Sequence, residues 1–261
     1  MSAPYPQLVR AGFRRYASYR QAAFAGLTAN VVFGFLRAAV LVAVLAQQGT
    51  VAGYDIPTAV TYVWLGQGLL SVVQLWPDLE FSKRIRSGDV VIDLGRPWDL
   101  TAAMLATDLG RAGHAMVVRF IPPMLLGIVF FPFRWPQRPL TWLLFLVSVA
   151  LAVVVSFTIR FMLSATAFWM LDAHGVLSVW GAVSGIVVGL IVPLAWFPQW
   201  AQTVLAWTPF PAIMQSPIDV FTERGDVVAL LGHAAIWSVL LVAACKLVLR
   251  AGATKLVVQG G

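Results

Sequence analysis

The sequence predicts an all-α integral membrane protein with six transmembrane helices, an N-terminal interfacial helix, a polar cytoplasmic helix after the second span and an outer re-entrant segment. Three observations carry this. Of the 261 residues, 60% are hydrophobic and 11% charged, against about half and a quarter in soluble domains. The apolar residues fall into blocks of roughly 20 or more, the length a helix needs to cross about 30 Å of hydrocarbon. The cations cluster between those blocks on alternate sides, as cytoplasmic loops require.

Taken in order, residues 1–22 carry no apolar signal-peptide core. At helical spacing Leu8, Val9, Phe13, Tyr16 and Tyr19 share a face opposite Arg10 and Arg14, a pattern suited to a helix lying among lipid headgroups; a solvated tail is the alternative. Spans are expected at about 24–46, 58–76, 115–133, 140–168, 175–194 and 228–249. Leu140 to Leu194 is almost continuously apolar, so the chain must turn at "LDAHG", with Asp172 beside His174 at the tip. No repeat or linker divides residues 1–261, which read as a single transmembrane domain. With the N-terminus inside, thirteen Lys and Arg fall on the cytoplasmic side and three (Arg134, Arg138, Arg224) outside, which puts both termini in the cytoplasm of a plasma (inner) membrane protein. That topology also accounts for the net charge of +7 without nucleic acid as a partner.

The cytoplasmic region 77–112 is the main polar feature, and "RIRSGDVVIDLGRPWDL" is its centre. Pro77 and Asp78 suit the first turn of a short helix, Glu80 favours its positive end, and Lys83, Arg84 and Arg86 the other. Gly88 supplies the stop, before Asp89. Phe81 and Ile85, four apart, form an apolar face on a charged rod, which reads as a docking surface for a soluble partner; a cytoplasmic loop with its basic residues held near anionic lipid is the alternative. Asp99 is expected to cap a second helix through Ala112 that leads into the third span. On the outer side, residues 193–217 are apolar and aromatic, yet Pro193, Pro198, Pro209, Pro211 and Pro217 forbid a spanning helix. A short helix over about 198–206 dipping into the interface is expected, with Trp196, Trp200 and Trp207 at the headgroups.

Arg37 lies near the middle of the first span and Arg119 near the inner end of the third. Arg119 can snorkel; Arg37 either faces a wet translocation pathway or lies shallower and pairs with a neighbour. Gly181, Gly185 and Gly189 give the fifth span a smooth stripe for packing, within the subunit or at a seam with another copy. His114, His174 and His233 are scattered and Cys245 is alone, so no metal site is expected.

The order of these parts resembles the permease subunits of the second class of ATP-binding-cassette exporters. The resemblance covers nearly the whole chain and rests on "IRSGDVVIDLGRPWDL", on "FWMLDAHG", on "GLIVPLAWFPQW" with "TPFPAIMQSP", and on the basic ends. It implies a subunit without enzyme activity or cofactor of its own, which agrees with the lack of a Gly-x-x-x-x-Gly-Lys-Ser/Thr loop. ATP and Mg would be bound by a separate ABC ATPase. The element Glu80, Phe81, Lys83, Arg84, Ile85, Arg86 would be the coupling helix, and a second permease, identical or homologous, would complete the transporter. Export of an amphipathic, drug-like or lipid-like molecule follows from the resemblance. Two rivals remain: an intramembrane serine protease using Ser184 and His233, and a membrane scaffold that transports nothing.

Overall fold

The computed structural model describes residues 4–17, 20–76, 79–170 and 173–255, with only the backbone described for 20–25. Tyr19, Pro77, Asp78 and Asp172 lie outside these residues. The described residues are helical almost throughout. The elements are α1 (Tyr5–Ala17), α2 (Arg20–Gln48), α3 (Ile56–Val73), α4 (Glu80–Ser87), α5 (Val90–Leu94), α6 (Leu100–Ala115), α7 (Ile121–Phe130), α8 (Pro139–Ala165), α9 (His174–Val187), α10 (Gln199–Ala206), α11 (Gln215–Phe221) and α12 (Val227–Ala253). Five rods are long and apolar enough to cross a membrane: α2, α3, the run Leu100–Phe130, α8 with its following turn, and α12.

Two expectations about these rods need correction. The Asp99-capped helix, expected through Ala112 and leading into a third span at 115–133, runs into that span without a break, so that α6 and α7 form one rod of 31 residues. Asp99 does cap it, accepting from the Ala102 amide at 2.8 Å. The rod continues past Pro122 and Pro123 because a π turn, Met116–Phe120, precedes them. A proline ring clashes with the carbonyl four residues back in a regular α-helix, and the wider π turn relieves that crowding. The fifth expected span is shorter than 175–194. α9 has 14 residues, about 21 Å at 1.5 Å per residue, and ends in a left-handed turn at Gly189 (φ +77°). Gly189 therefore closes α9 and is not part of a packing stripe with Gly181 and Gly185. Gly185 meets the returning Ile191, and Gly181 accepts a hydrogen bond from Trp76 at 3.3 Å.

α3 is the axis of the bundle. Fourteen of its 18 residues are buried, whereas most of α2 and α12 is not, so it is apolar on every face rather than along a stripe, as a surrounded helix must be. Trp64 at its centre is fully buried. Gly34 of α2 and Gly127 of α7 make room for it, since a Cβ at either would lie within 3 Å of the indole. A second apolar cluster at one end of the bundle joins Phe81, Ile85, Leu100, Phe157, Phe161, Phe168 and Cys245. Both ends of the described chain meet there: Arg15 of α1 pairs with Glu80, and Lys246 of α12 with Asp99.

α1 is not a free tail. It crosses α6 where Gly12 faces the Thr107 carbonyl and Gly110 faces the Val9 carbonyl, and an added Cβ would lie 2.1 Å and 2.0 Å from those oxygens. Backbone lies on backbone there, and no side chain can yield. Replacing Gly110 with valine should lift α1 off α6. Amide exchange across residues 5–17 is expected to speed up at least tenfold while exchange in α3 and α8 is unchanged, and equal protection in the variant would show that the crossing does not hold α1.

Candidate functional site

The polar side chains gather at the two ends of the bundle. At the end that holds α1, Asp108 of α6 is shared by two arginines: Arg111 Nε donates to Oδ1 at 2.7 Å and Arg160 Nη2 of α8 to Oδ2 at 2.8 Å. All three side chains are at least 90% buried. Arg111 also donates from Nη1 and Nη2 to the carbonyls of Ser71 and Val72, each at 2.8 Å, satisfying the last turn of α3. Cations are favoured at that end of a helix, where carbonyls lack partners. Just beyond the end of α3, Ser156 and Trp180 donate to the carbonyls of Gln74 and Leu75.

α4 and α5 project from the same end. α4 stops at Gly88 (φ +81°), as its sequence predicts; its first described residue is Glu80, and the expected first-turn residues Pro77 and Asp78 lie outside the described residues. Its apolar pair faces the other way from the docking expectation. Phe81 and Ile85 are each 5% exposed, and Phe81 stacks on Phe161 with ring centroids 4.9 Å apart. The neighbouring rods bury this pair, so it is part of the core and not a free anchor. What α4 turns outward is Lys83, Arg86 and Ser87, followed by Gly88 and Asp89. The exposed apolar groups belong to α5, where Val91 is 47% and Ile92 65% exposed. Arg84 pairs with the buried Asp93 at 2.6 Å and ties α4 to α5.

Between the two ends, Arg37 Nη2 and the Tyr62 hydroxyl donate to the carbonyls of Leu190 and Gly189, the turn that closes α9. Gln67, with its amide turned to serve both neighbours, accepts from Arg37 Nη1 at 2.9 Å. Arg37 therefore has partners within the chain and clamps an interrupted helix. Arg119 reaches the inner end of α2, its guanidinium lying over Gly26. The expected outer segment contains α10, with Trp200 and Trp207 72% and 81% exposed. Pro193 and Pro198 start its first turns, and Pro209 and Pro211 belong to the tight turn Phe210–Ile213 that leads to α11.

Gln215 joins this outer segment to the rods. Its Oε1 accepts from the Leu194 amide at 3.1 Å, and its Nε2 donates to the Tyr54 hydroxyl at 3.0 Å and to Asp219 at 2.9 Å. The Arg224 guanidinium lies 4.0 Å over the Tyr54 ring. Burial pushes the Asp219 carboxyl up to about 6, with Gln215 and Arg224 pulling the other way. Glu223 is held below the usual range by the Thr141 hydroxyl, against a smaller burial effect, and also by the Arg138 and Gln137 amides.

The protease arrangement is not formed. Ser184 is fully buried with its Oγ lacking a hydrogen-bond partner, and His233 lies beside Trp237. Among the described residues no group of three His, Cys, Asp or Glu side chains could hold a metal ion. Sequence reasoning missed Asp108, Tyr62, Gln215 and Asp219. One signal was available: Asp108 is the one acidic residue between Leu100 and Phe130, and an ionisable group inside an apolar rod demands a partner.

A bundle of five long apolar rods, joined by buried ion pairs at the end that holds α1, defines a multi-pass helical membrane protein. The chain belongs to the ABC-2 family transporter proteins, whose family model matches residues 32–260. It is thus the membrane component of an ABC transporter, a class that is typically non-catalytic and works with a separate ATPase. No curated protein and no solved structure is significantly similar to it.

Two outcomes follow from the outer polar groups. Arg37→Leu strands the Leu190 carbonyl in apolar surroundings, at a cost of about 1–3 kcal/mol, which should appear as a lower thermal midpoint in detergent. A variant of unchanged stability that lost transport would instead mark Arg37 as a pathway residue. Asp219 binds its proton more tightly folded than unfolded, so stability should fall by on the order of 1–3 kcal/mol as pH rises from about 4 to about 6 and level off above about 7. Asp219→Asn should remove this slope, and a slope that survived the substitution would have to come from another group.

Proposed function

We propose that this chain is the permease subunit of an ATP-driven exporter in the plasma (inner) membrane, with ATP hydrolysed by a separate cassette subunit and an amphipathic, drug-like or lipid-like cargo. The observation that carries this reading is the family match over 32–260, joined to a projecting α4–α5 unit at the end of the bundle where the cations concentrate. The thirteen-to-three charge bias supports a cytoplasmic location for that end and for both termini. The transporter would contain a second permease, identical or homologous. The exposed face of α9, with Val179 and Val183, is one candidate seam.

In this reading α4 and α5 are the coupling element, with its outer and inner faces serving different ends. Val91 and Ile92, flanked by Lys83, Arg86 and Asp89, meet the ATPase. Phe81 and Ile85 face the bundle, where Phe81 rests on Phe161, the residue after Arg160. A push on α4 would thus be delivered to α8 and, through Asp108, to α6.

The division of labour is testable on copurified complex. Val91→Ala with Ile92→Ala should weaken ATPase binding at least tenfold and leave the thermal midpoint of the permease alone, since truncating apolar anchors at an interface centre commonly costs about 2 kcal/mol or more. Phe81→Ala should destabilise the permease itself by about 3–5 kcal/mol. If the α5 double variant retained the ATPase with full affinity, the contact would lie elsewhere on the cytoplasmic end.

A further inference from the structure

A cavity of about 250 Å³ opens between α1, α4, α5, α6 and α8. Five arginines line it: Arg15, Arg84, Arg96, Arg111 and Arg160. Against them stand three carboxylates, Glu80, Asp93 and Asp108, so the walls carry two positive charges in excess. The deep pair, Arg111 and Arg160, is committed to Asp108. Of the outer pair, Arg84 gives only Nη2 to Asp93, at 2.6 Å. Arg84 Nε is buried without a hydrogen-bond partner, and Arg96 lies 3.8 Å from Asp93 and over the Trp98 ring. The rest of the wall is apolar, with Leu8, Met104, Phe157 and Phe161 among its residues.

Such a site selects a ligand with two unlike parts. Guanidinium groups offer a planar fork of donors that matches phosphate oxygens, and a surplus of two cations favours an anion. An aromatic and aliphatic wall beside them favours an apolar neighbour to that anion. The volume lies just under the roughly 300 Å³ at which pockets for drug-sized ligands begin, enough for a headgroup and the first methylenes of a chain but not for a whole lipid. One wall is α1, whose apolar residues and arginines suit the headgroup layer.

We propose that this cavity holds the phosphate headgroup of an anionic phospholipid drawn from the cytoplasmic leaflet, with Arg84 and Arg96 on the phosphate and the chain leaving along Met104 and Phe157. The leaflet assignment rests on the permease topology above; the binding itself does not. A lipid seated there would fasten α1 to α4 and α8, so that the docking element is set by the membrane as well as by the ATPase.

The test uses the full chain purified in detergent without ATPase, so that failure of this site and failure of the permease reading are separate results. Calorimetric titrations with dihexanoyl phosphatidylglycerol, dihexanoyl phosphatidylcholine and sn-glycerol 3-phosphate are compared. Phosphatidylglycerol should bind at least tenfold more tightly than either of the others. Arg96→Gln should reduce that preference severalfold, and Met104→Trp, which fills the apolar side without touching an ion pair, should weaken the lipid at least tenfold in a protein whose thermal midpoint is preserved. Arg138→Gln, at the other end of the bundle, should change nothing. Equal binding of the two lipids, or phosphatidylglycerol binding that neither cavity variant alters, overturns the proposal. So does glycerol 3-phosphate binding as tightly as the lipid, which would make this a site for a free phosphate ester.

Discussion

Carbonyl groups at the end of a helix need donors, and inside a bundle surrounded by hydrocarbon no water supplies them. The fold depends on how α9 meets this demand. It ends after 14 residues, and its closing turn is held by Arg37 from α2, Tyr62 from α3 and the backbone amide of Gln215, which donates to Val188 at 3.1 Å. Three separate stretches of chain are thereby fixed against one turn. The proline-rich return can fold back into the outer end only because α9 stops where it does and because Gln215 bonds the backbone of that return.

The end of the bundle that holds α1 solves the same problem with the same residue type. Arg111 satisfies the last carbonyls of α3, and its charge is balanced by Asp108, which Arg160 shares. A buried ion group of this kind is expensive to desolvate and is weak evidence of stability in itself. Its effect is on geometry: Arg111 ties α6 to the last turn of α3 through two carbonyls, and Arg160 ties α8 to Asp108 of α6. The membrane rods therefore move together at this end, and α4, packed on α8 through Phe81 and Phe161, moves with them.

Much of the rod layout was legible in the sequence because length and apolarity alone determine what can cross a bilayer. α4 was legible too, since Glu80, the basic last turn and Gly88 are local signals. Three features were not. The continuity of α6 with α7 depends on a π turn, which has no marker beyond the prolines it accommodates. The early end of α9 depends on Arg37 and Tyr62, more than 120 residues earlier. The inward facing of Phe81 and Ile85 depends on Phe157 and Phe161 being opposite. A helix face of spacing four shows only that something covers it, and the cover here was the chain's own core.

The crossing of α1 on α6 imposes an order of events. Gly12 is made well before the Thr107 carbonyl on which it rests, an interval of 95 residues, and at 5–20 residues per second α6 follows about 5–20 s later. During that interval α6, the helix that α1 crosses, is not yet made. A helix with Leu8, Val9 and Phe13 on one face can spend the wait on the lipid surface, where that face is covered, and then exchange lipid for α6 when the third rod is inserted. The glycines that permit the final contact also keep bulky side chains out of the seam, so the helix can close late, from the side, after the bundle beneath it has formed.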